Sequence, residues 1–298
     1  MSDIEAPSAA GGLYLAPEFR EGPAAGLARR SGAELRAMPL TRTTPSSGHS
    51  LVLRVAAGPQ GPVFFRKEFL PRDWTDPIKG LLRATPARRA WDGARALQAA
   101  GVRTPPLVAL GRDRESGRSF LITEEIARAE AAARYFERLR PPLPVDELRT
   151  KRALLCEIGA TLARMHRAGL FHTDARLHNI FWRMDAEGRP EVVLLDTDRV
   201  VRRRVRWLAR HEAVRNLAQV GFTLAPAVTL TDRMRILAAY RQTAGLDRPV
   251  ARRLGAMALR RLRRRIEKHL RQASARRKTP AAVQAMRRFL AELDARRR

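Results

Sequence analysis

Between residues 172 and 196 the chain gathers side chains that can act together on a phosphate: His172, Asp174, Asn179 and Asp196. A carboxylate on a rigid loop, here Asp174, can orient a hydroxyl and accept its proton as it attacks. An amide oxygen five residues on, at Asn179, and a carboxylate ending the next strand, at Asp196, are hard oxygen donors. Such donors suit Mg²⁺, which in turn bridges nucleotide phosphates. Without the cation this set would repel a phosphate. His172 counts with Asp174 in the catalytic loop, its ring placed to hold the loop backbone. Each element alone is weak, since His-x-Asp is common and Asp-x-Asp is often a turn. The conjunction carries the reading: helix, glycine stop, His-x-Asp, Asn, hairpin, strand, Asp. The chemistry it implies is phosphoryl transfer to a hydroxyl.

The flanking sequence shows what must position these groups. Over Val145–Gly169, Leu154, Ile158, Leu162 and Met165 recur at helical spacing and make one apolar face. Gly169 follows as a residue free to take left-handed backbone past a helix end. Ile180–Trp182 and Val192–Leu195 flank the turn Asp185–Pro190, a hairpin pattern. Upstream, Ser50–Val55, Pro62–Phe69 and Ser119–Ile122 read as strands, and Thr85-Pro86 as cap and first-turn proline of a helix that stops at Gly101. Downstream, Leu254, Ala258, Leu262, Ile266 and Leu270 recur every four residues. Thr279-Pro280 opens a last helix with Val283, Met286, Leu290 and Leu293 on one stripe. Residues 1–30, rich in Gly, Ala and Pro, read as irregular. The predicted architecture is α+β: an extension over 1–40, a small β-rich N-lobe over 41–126, and a larger helical C-lobe over 127–298 with a basic helical tail.

The loop spacing is similar to that of protein kinases, whose catalytic loop is H-R-D-x-x-x-x-N and whose next metal ligand opens D-F-G. A closer resemblance is to the lipopolysaccharide-core kinases, which phosphorylate Kdo or heptose sugars. Their pattern L-H-x-x-G-x-x-H-x-D-x-x-x-x-N-I-L, then L-I-D-x-D-R, reads here as Met165 to Asp174, His178-Asn179-Ile180-Phe181, and Leu194-Leu195-Asp196-Thr197-Asp198-Arg199. Arg215-Asn216-Leu217-Ala218-Gln219 resembles the helix that follows. The resemblance covers residues 50 to 225 by element order and is strong over 162–199. It implies a bilobal protein-kinase-like fold, ATP and Mg²⁺ as cofactors, Asp174 as base, and Asn179 and Asp196 as metal ligands. It also implies a lipid-linked anionic glycan as acceptor, met by Arg199, Arg202 and Arg203 with Arg204 and Arg206 behind them.

Such a kinase needs a strand lysine for the nucleotide phosphates, and Lys67 in FFRKEF is the candidate, with Arg66 on the opposite face. Its usual helix glutamate is missing; Asp92 is the one acid near that place. Glu124, after SFLI, falls at the hinge where backbone groups would meet adenine. No G-x-G-x-x-G is present, and Ser46-Ser47-Gly48 stands in as a weak phosphate cover.

Bulk composition narrows the class. The 298 residues carry 58 Lys and Arg against 30 Asp and Glu, a net charge of +28, so anionic partners are favoured. Aromatic residues make up 6%, with no basic-aromatic stacking motif, which argues against nucleic acid. The lone cysteine, Cys156, excludes an intrachain disulfide and is expected inside a helix as a small hydrophobe. No apolar run is long enough for a transmembrane helix, and the N-terminus lacks a signal-peptide pattern. The expected location is cytoplasmic, with peripheral contact of the basic C-terminal helices with anionic headgroups. The alternatives are a kinase of another small molecule or a protein, and a basic pseudokinase or nucleic-acid-binding protein; the Asp-x-Asp-Arg ending disfavours the first.

Overall fold

The computed structural model describes residues 12–44, 49–70, 84–223, 225, 227–272 and 279–295. Ser46-Ser47-Gly48 lie outside the described residues. The fold is α+β, in two compact units. The first holds residues up to 96, 104–127 and 196–198; the second holds 97–103, 128–195 and 199 onward.

The first unit is built on an antiparallel sheet in the order β1 (Tyr14–Leu15), β5 (Leu107–Arg112), β6 (Ser119–Glu124), β4 (Val63–Phe69), β3 (Ser50–Ala56), β2 (Thr41–Thr44). Alternation along β4 decides the faces. Phe64, Arg66 and Glu68 point to the buried side, and Lys67 to the other. Arg66 is 1% exposed, yet every charge near it is answered. It bonds Glu68 at 3.0 Å, Asp113 at 2.6 Å and the Arg30 carbonyl at 2.8 Å, and lies 3.8 Å from the centre of the Phe120 ring.

The same network corrects the expectation of an irregular segment before residue 30. Its described part holds β1, a 3-10 turn at Pro17–Phe19 and α1 (Pro23–Arg29), followed by α2 (Gly32–Arg36). Asp113 Oδ2 accepts from the Gly32 amide at 2.6 Å, and Ser31 with Glu34 forms a reciprocal cap. A Cβ at Gly32 would push the Glu68 carboxylate aside and disturb its bond to Arg66. Local Gly and Ala content hid these helices; tertiary bonds to a buried ion cluster make them.

Helix α3 (Pro86–Ala99) starts as expected, with Thr85 Oγ1 accepting from the Arg88 amide at 3.2 Å, and Gly101 follows it at φ +70°. Its Ala87, Ala90, Trp91 and Ala94 pack with Phe69, Leu107, Leu110 and Leu121 of the sheet.

The second unit is organised by α5 (Val145–Arg167), which buries Leu154, Ile158, Leu162 and Met165 on the predicted face. Gly159 lets α7 (Leu230–Ala244) approach: a Cβ would overlap the Ile236 carbonyl. Gly169, at φ +69°, ends α5 and feeds β8 (Leu170–His172), which pairs antiparallel with β11 (Val200–Arg202). The hairpin is β9 (Ile180–Met184) with β10 (Pro190–Leu194), and β7 (Glu130–Ala131), leading into α4 (Ala132–Arg138), adds to its edge. Then follow α6 (Arg206–Val220), α7, α8 (Arg248–Arg271) and α9 (Pro280–Ala295). On α8 Leu254, Ala258, Leu262 and Ile266 are buried as expected, while Leu270 is half-buried. On α9 Met286 is buried as expected and Val283, Leu290 and Leu293 of the same stripe are half-buried, while Phe289, not read from the spacing, is also buried, under the Arg233 guanidinium at 4.3 Å. Cys156 does sit in α5, but on its exposed side. Among the described residues no helix is long and apolar enough to cross a membrane.

Candidate active site

In the first unit, Lys67 Nζ reaches Asp196 Oδ1 at 2.7 Å and Asp198 Oδ1 at 3.3 Å. Burial would lower the lysine pKa, but Asp198 and Asp196 outweigh it and raise it above the ordinary value. Two features pin the acidic turn. Thr197, buried, donates from Oγ1 to the Ala90 carbonyl of α3 at 2.7 Å. Asp196 adopts φ +52°, left-handed backbone that a non-glycine residue takes at a cost of about 1–3 kcal/mol. That is a conformation held by its surroundings and found at functional positions.

The acids that bond Lys67 are thus Asp196 and Asp198. Asp92 instead pairs with Arg88 one turn away on the exposed side of α3. Helix α3 contributes a carbonyl to the acidic turn, and the carboxylates that meet Lys67 come from Asp-x-Asp rather than from that helix. Sequence reading missed this role of Asp198, although the signal was present: two acids in the turn and none suitable on the helix.

Glu124 ends β6, and its amide is already bonded to the Pro106 carbonyl at 3.0 Å. The Glu125 amide bonds the Val63 carbonyl at 2.8 Å, and its carboxylate holds Arg54 through two bonds.

In the second unit the catalytic loop is clamped from below. His172 is 1% exposed. Its Nδ1 accepts from the Asp174 amide at 3.1 Å, and its Nε2 faces the Leu195 carbonyl at 2.9 Å. These partners select the neutral ring with its proton on Nε2, and they give it a holding role. Asn216 on α6 donates to the His172 carbonyl at 2.6 Å and accepts from its amide at 3.3 Å. Gln219, one turn on, donates to the Thr173 carbonyl and accepts from the Ala175 amide. The Arg215–Gln219 segment thus braces residues 172–175.

Asp174 is held by Arg176, which makes two bonds of 2.6 Å to its carboxylate oxygens. Asn179 Nδ2 donates to the Asp174 carbonyl at 2.9 Å and to Oδ2 at 3.2 Å. Burial pushes the Asp174 pKa up, and the arginine and the amide more than reverse it, so the group is held below the ordinary carboxylate range. Arg265 of α8 stands over Phe222 at 4.6 Å and senses the charges of Arg176 and Asp174. Neither arginine had been singled out in the sequence.

The arginines after the acidic turn divide. Arg199 gives its carbonyl to the Thr173 amide at 2.8 Å. Arg202 Nη1 bonds the Ala168 carbonyl at 3.2 Å, and Arg203 lies 3.5 Å from Glu212. Arg202 and Arg203 therefore already serve the end of α5 and the side of α6.

Among the described residues no three His, Cys, Asp or Glu side chains form a ready-made metal cage. Mg²⁺ in phosphoryl-transfer sites needs none, since it takes one or two protein oxygens together with phosphates and water. The donors fit that use. The Asp196 side chain is 39% exposed and gives Oδ1 to Lys67, and Asn179 makes its bonds to Asp174 through Nδ2, so its amide oxygen takes no part in them.

The chain is 37% identical to the lipopolysaccharide core heptose(I) kinase WaaP of Pseudomonas aeruginosa over 110 residues, 34% of this chain and 40% of that relative. It thus spans well under half the length of that curated protein. A solved structure described as WaaP in complex with acyl carrier protein shares the fold, with a TM-score of 0.59 and 24% identity, over 86% of this chain and 98% of the other. The profile of the lipopolysaccharide kinase (Kdo/WaaP) family matches residues 64–240. That range is more than half of the 298 residues and takes in Lys67, the catalytic loop, the acidic turn and the bracing helix; the chain belongs to the lipopolysaccharide kinase (Kdo/WaaP) family.

Proposed function

We propose that this protein is an ATP-dependent kinase that transfers the γ-phosphoryl group to a hydroxyl of a lipopolysaccharide-core sugar, with heptose ahead of Kdo as acceptor. The observation that carries the reading is the bond from Lys67 to Asp196, residues 129 apart in the chain. A strand lysine and the first acid of Asp-x-Asp meet there, which supports a nucleotide-phosphate site built from the two. The family match and the name of the Pseudomonas aeruginosa relative support the acceptor class.

In this reading Lys67 contacts nucleotide phosphates, and backbone near Glu124 meets the adenine. Asn179 and Asp196 would hold Mg²⁺, which when bound neutralises phosphate charge. Asp174, ionised through Arg176, orients the acceptor hydroxyl and takes its proton late, as suits a loose transition state. His172 holds the loop rather than touching the reacting atoms. Arg199, with Arg265 added from α8, meets the anionic acceptor. That the lysine cluster and the loop serve one reaction rests on chain connectivity. Leu195 donates its amide to the Asn179 carbonyl at 2.9 Å, and Asp196 is the next residue. We place the protein in the cytoplasm, working at the inner face of the inner membrane, where a lipid-linked glycan is presented.

The test is transfer of label from γ-³²P-ATP to purified lipopolysaccharide core. Asp174→Asn and Asp196→Asn should each lower kcat by about a thousandfold or more while circular dichroism stays native. The removal of a single charge-stabilising donor already costs about 10²–10³ in such sites. Turnover within threefold of the parent in both variants refutes the assignment. Transfer to a small-molecule alcohol and none to the core glycan replaces the acceptor class.

A further inference from the structure

We propose that the segment Arg202–Arg210, at the start of α6, is a membrane-docking tip that seats on an anionic phospholipid surface. The motivation is an apolar pair exposed inside a purely basic stretch. Trp207 is 69% exposed and Val205 is 49% exposed. From Arg199 to His211 there are six arginines and no acid; the next acid is Glu212. Arg202, Arg204, Arg206 and Arg210 are all exposed.

The local choices make poor sense for the folded chain alone. Val205 occupies the N-cap of α6 and offers no side-chain bond to the helix. A Ser, Thr, Asp or Asn there would cap the helix and stabilise it. An indole in water likewise forgoes the burial of most of its surface. Both departures are explained if the pair is buried by a partner, and the arginines state the partner's charge. Tryptophan and arginine together are the side chains that occupy the headgroup boundary of a bilayer, with the ring at the apolar edge and the guanidinium on phosphate. The positive face continues onto α8, which lies alongside. Arg210 Nη2 is 3.3 Å from Met257 Sδ, and Arg261 Nη1 is 3.3 Å from His211 Nε2. Exposed Arg260, Arg261 and Arg264 extend the charge.

The tip also lies where it would matter. The strand before it, β11, pairs with β8, and β8 leads directly into the loop of Asp174. A protein seated by this tip would hold that loop near the bilayer surface. This use of the tip rests on the proposed kinase reading; the docking itself does not.

The experiment uses the full chain and sucrose-loaded vesicles, with neither ATP nor glycan, so its outcome is independent of the kinase reading. Vesicles of phosphatidylcholine are compared with vesicles containing one third phosphatidylglycerol, in 0.1 M salt. The parent protein should sediment with the anionic vesicles and stay in solution with the neutral ones. Trp207→Gln should weaken partitioning at least tenfold. Val205→Asn should weaken it several-fold while leaving the unfolding midpoint the same or higher, because it supplies a helix cap. Arg204→Gln with Arg206→Gln should lower binding by about fivefold per arginine and flatten its salt dependence. Brominated phosphatidylglycerol should quench parent fluorescence more than that of Trp207→Phe. Vesicle binding that is unchanged in Trp207→Gln and Val205→Asn overturns the proposal. So does the absence of vesicle binding with retention on single-stranded DNA at the same salt, which would make the tip a nucleic-acid surface.

Discussion

Replacing Asp198 by Asn tests whether the second acid of the Asp-x-Asp turn has taken over the work of a helix glutamate. Lys67 Nζ has carboxylate oxygens at 2.7 and 3.3 Å, and its side chain is 23% exposed against 11% for that of Asp198. A unit-charge pair at that longer distance has about 5 kcal/mol of gross attraction at an effective dielectric of about 20. Much of that is offset by the desolvation of both groups. The net worth of a charged hydrogen bond is about 1.5–3 kcal/mol. At about 1.4 kcal/mol per decade, loss of the bond should lower kcat/KM by about ten- to a hundredfold. The fall should come mainly through weaker nucleotide binding, read by calorimetric titration of ATP. Asp92→Asn is the matched control. Asp92 sits in an exposed pair with Arg88 one turn away, and such a pair is worth about 0.3–0.5 kcal/mol, so ATP binding should stay within twofold. If Asp92→Asn loses tenfold while Asp198→Asn does not, the helix acid is the true partner and the reasoning from the Lys67 geometry fails.

Two further outcomes concern the support of the loop. His166 is bonded to Asn216 and Tyr240, and burial pushes its pKa down to about 4 from 6.5. The unfolded chain therefore takes up a proton first as pH falls. Stability is full above pH 6.5 and should drop by about 3 kcal/mol by pH 4, seen in urea midpoints; an imidazole that titrates near 6.5 by NMR contradicts this. Asn216→Ala removes the partner of the His172 amide and carbonyl and of His166, and leaves buried groups that each cost about 1–3 kcal/mol unpaired. A loss of about 3 kcal/mol or more is expected, with kcat falling more than KM rises; a change below 1 kcal/mol would mean that the loop is held elsewhere.

The parts of this protein that could be read from its sequence are those governed by local rules. The face of α5, the glycine after it, the β9–β10 hairpin and the Thr85 cap each follow from spacing or turn chemistry within one element, and each stands where it was expected. The bonds that tie Asp174 to His172 and Asn179 are local in the same sense, since those residues span only eight positions. What escaped depends on meetings across the chain. Helices α1 and α2 exist through Arg66 and Asp113, which lie 47 residues apart, and nothing in a Gly- and Ala-rich stretch announces them. Phe289 is buried by an arginine of another helix rather than by its own stripe.

Asp198 shows the same limit at the site itself. A search for the acid partner of Lys67 on the following helix assumes that the element carrying a function is preserved. Electrostatics asks less: a carboxylate within about 4 Å of the ammonium, from whichever element reaches it. Helix α3 still takes part, but through the Ala90 carbonyl that holds Thr197. The consequence is mechanistic. With its acids placed in the acidic turn, whatever orders residues 196–198 also orders Lys67, so the proposed nucleotide contact and the proposed metal ligand would be coupled through one short segment rather than through the swing of a helix.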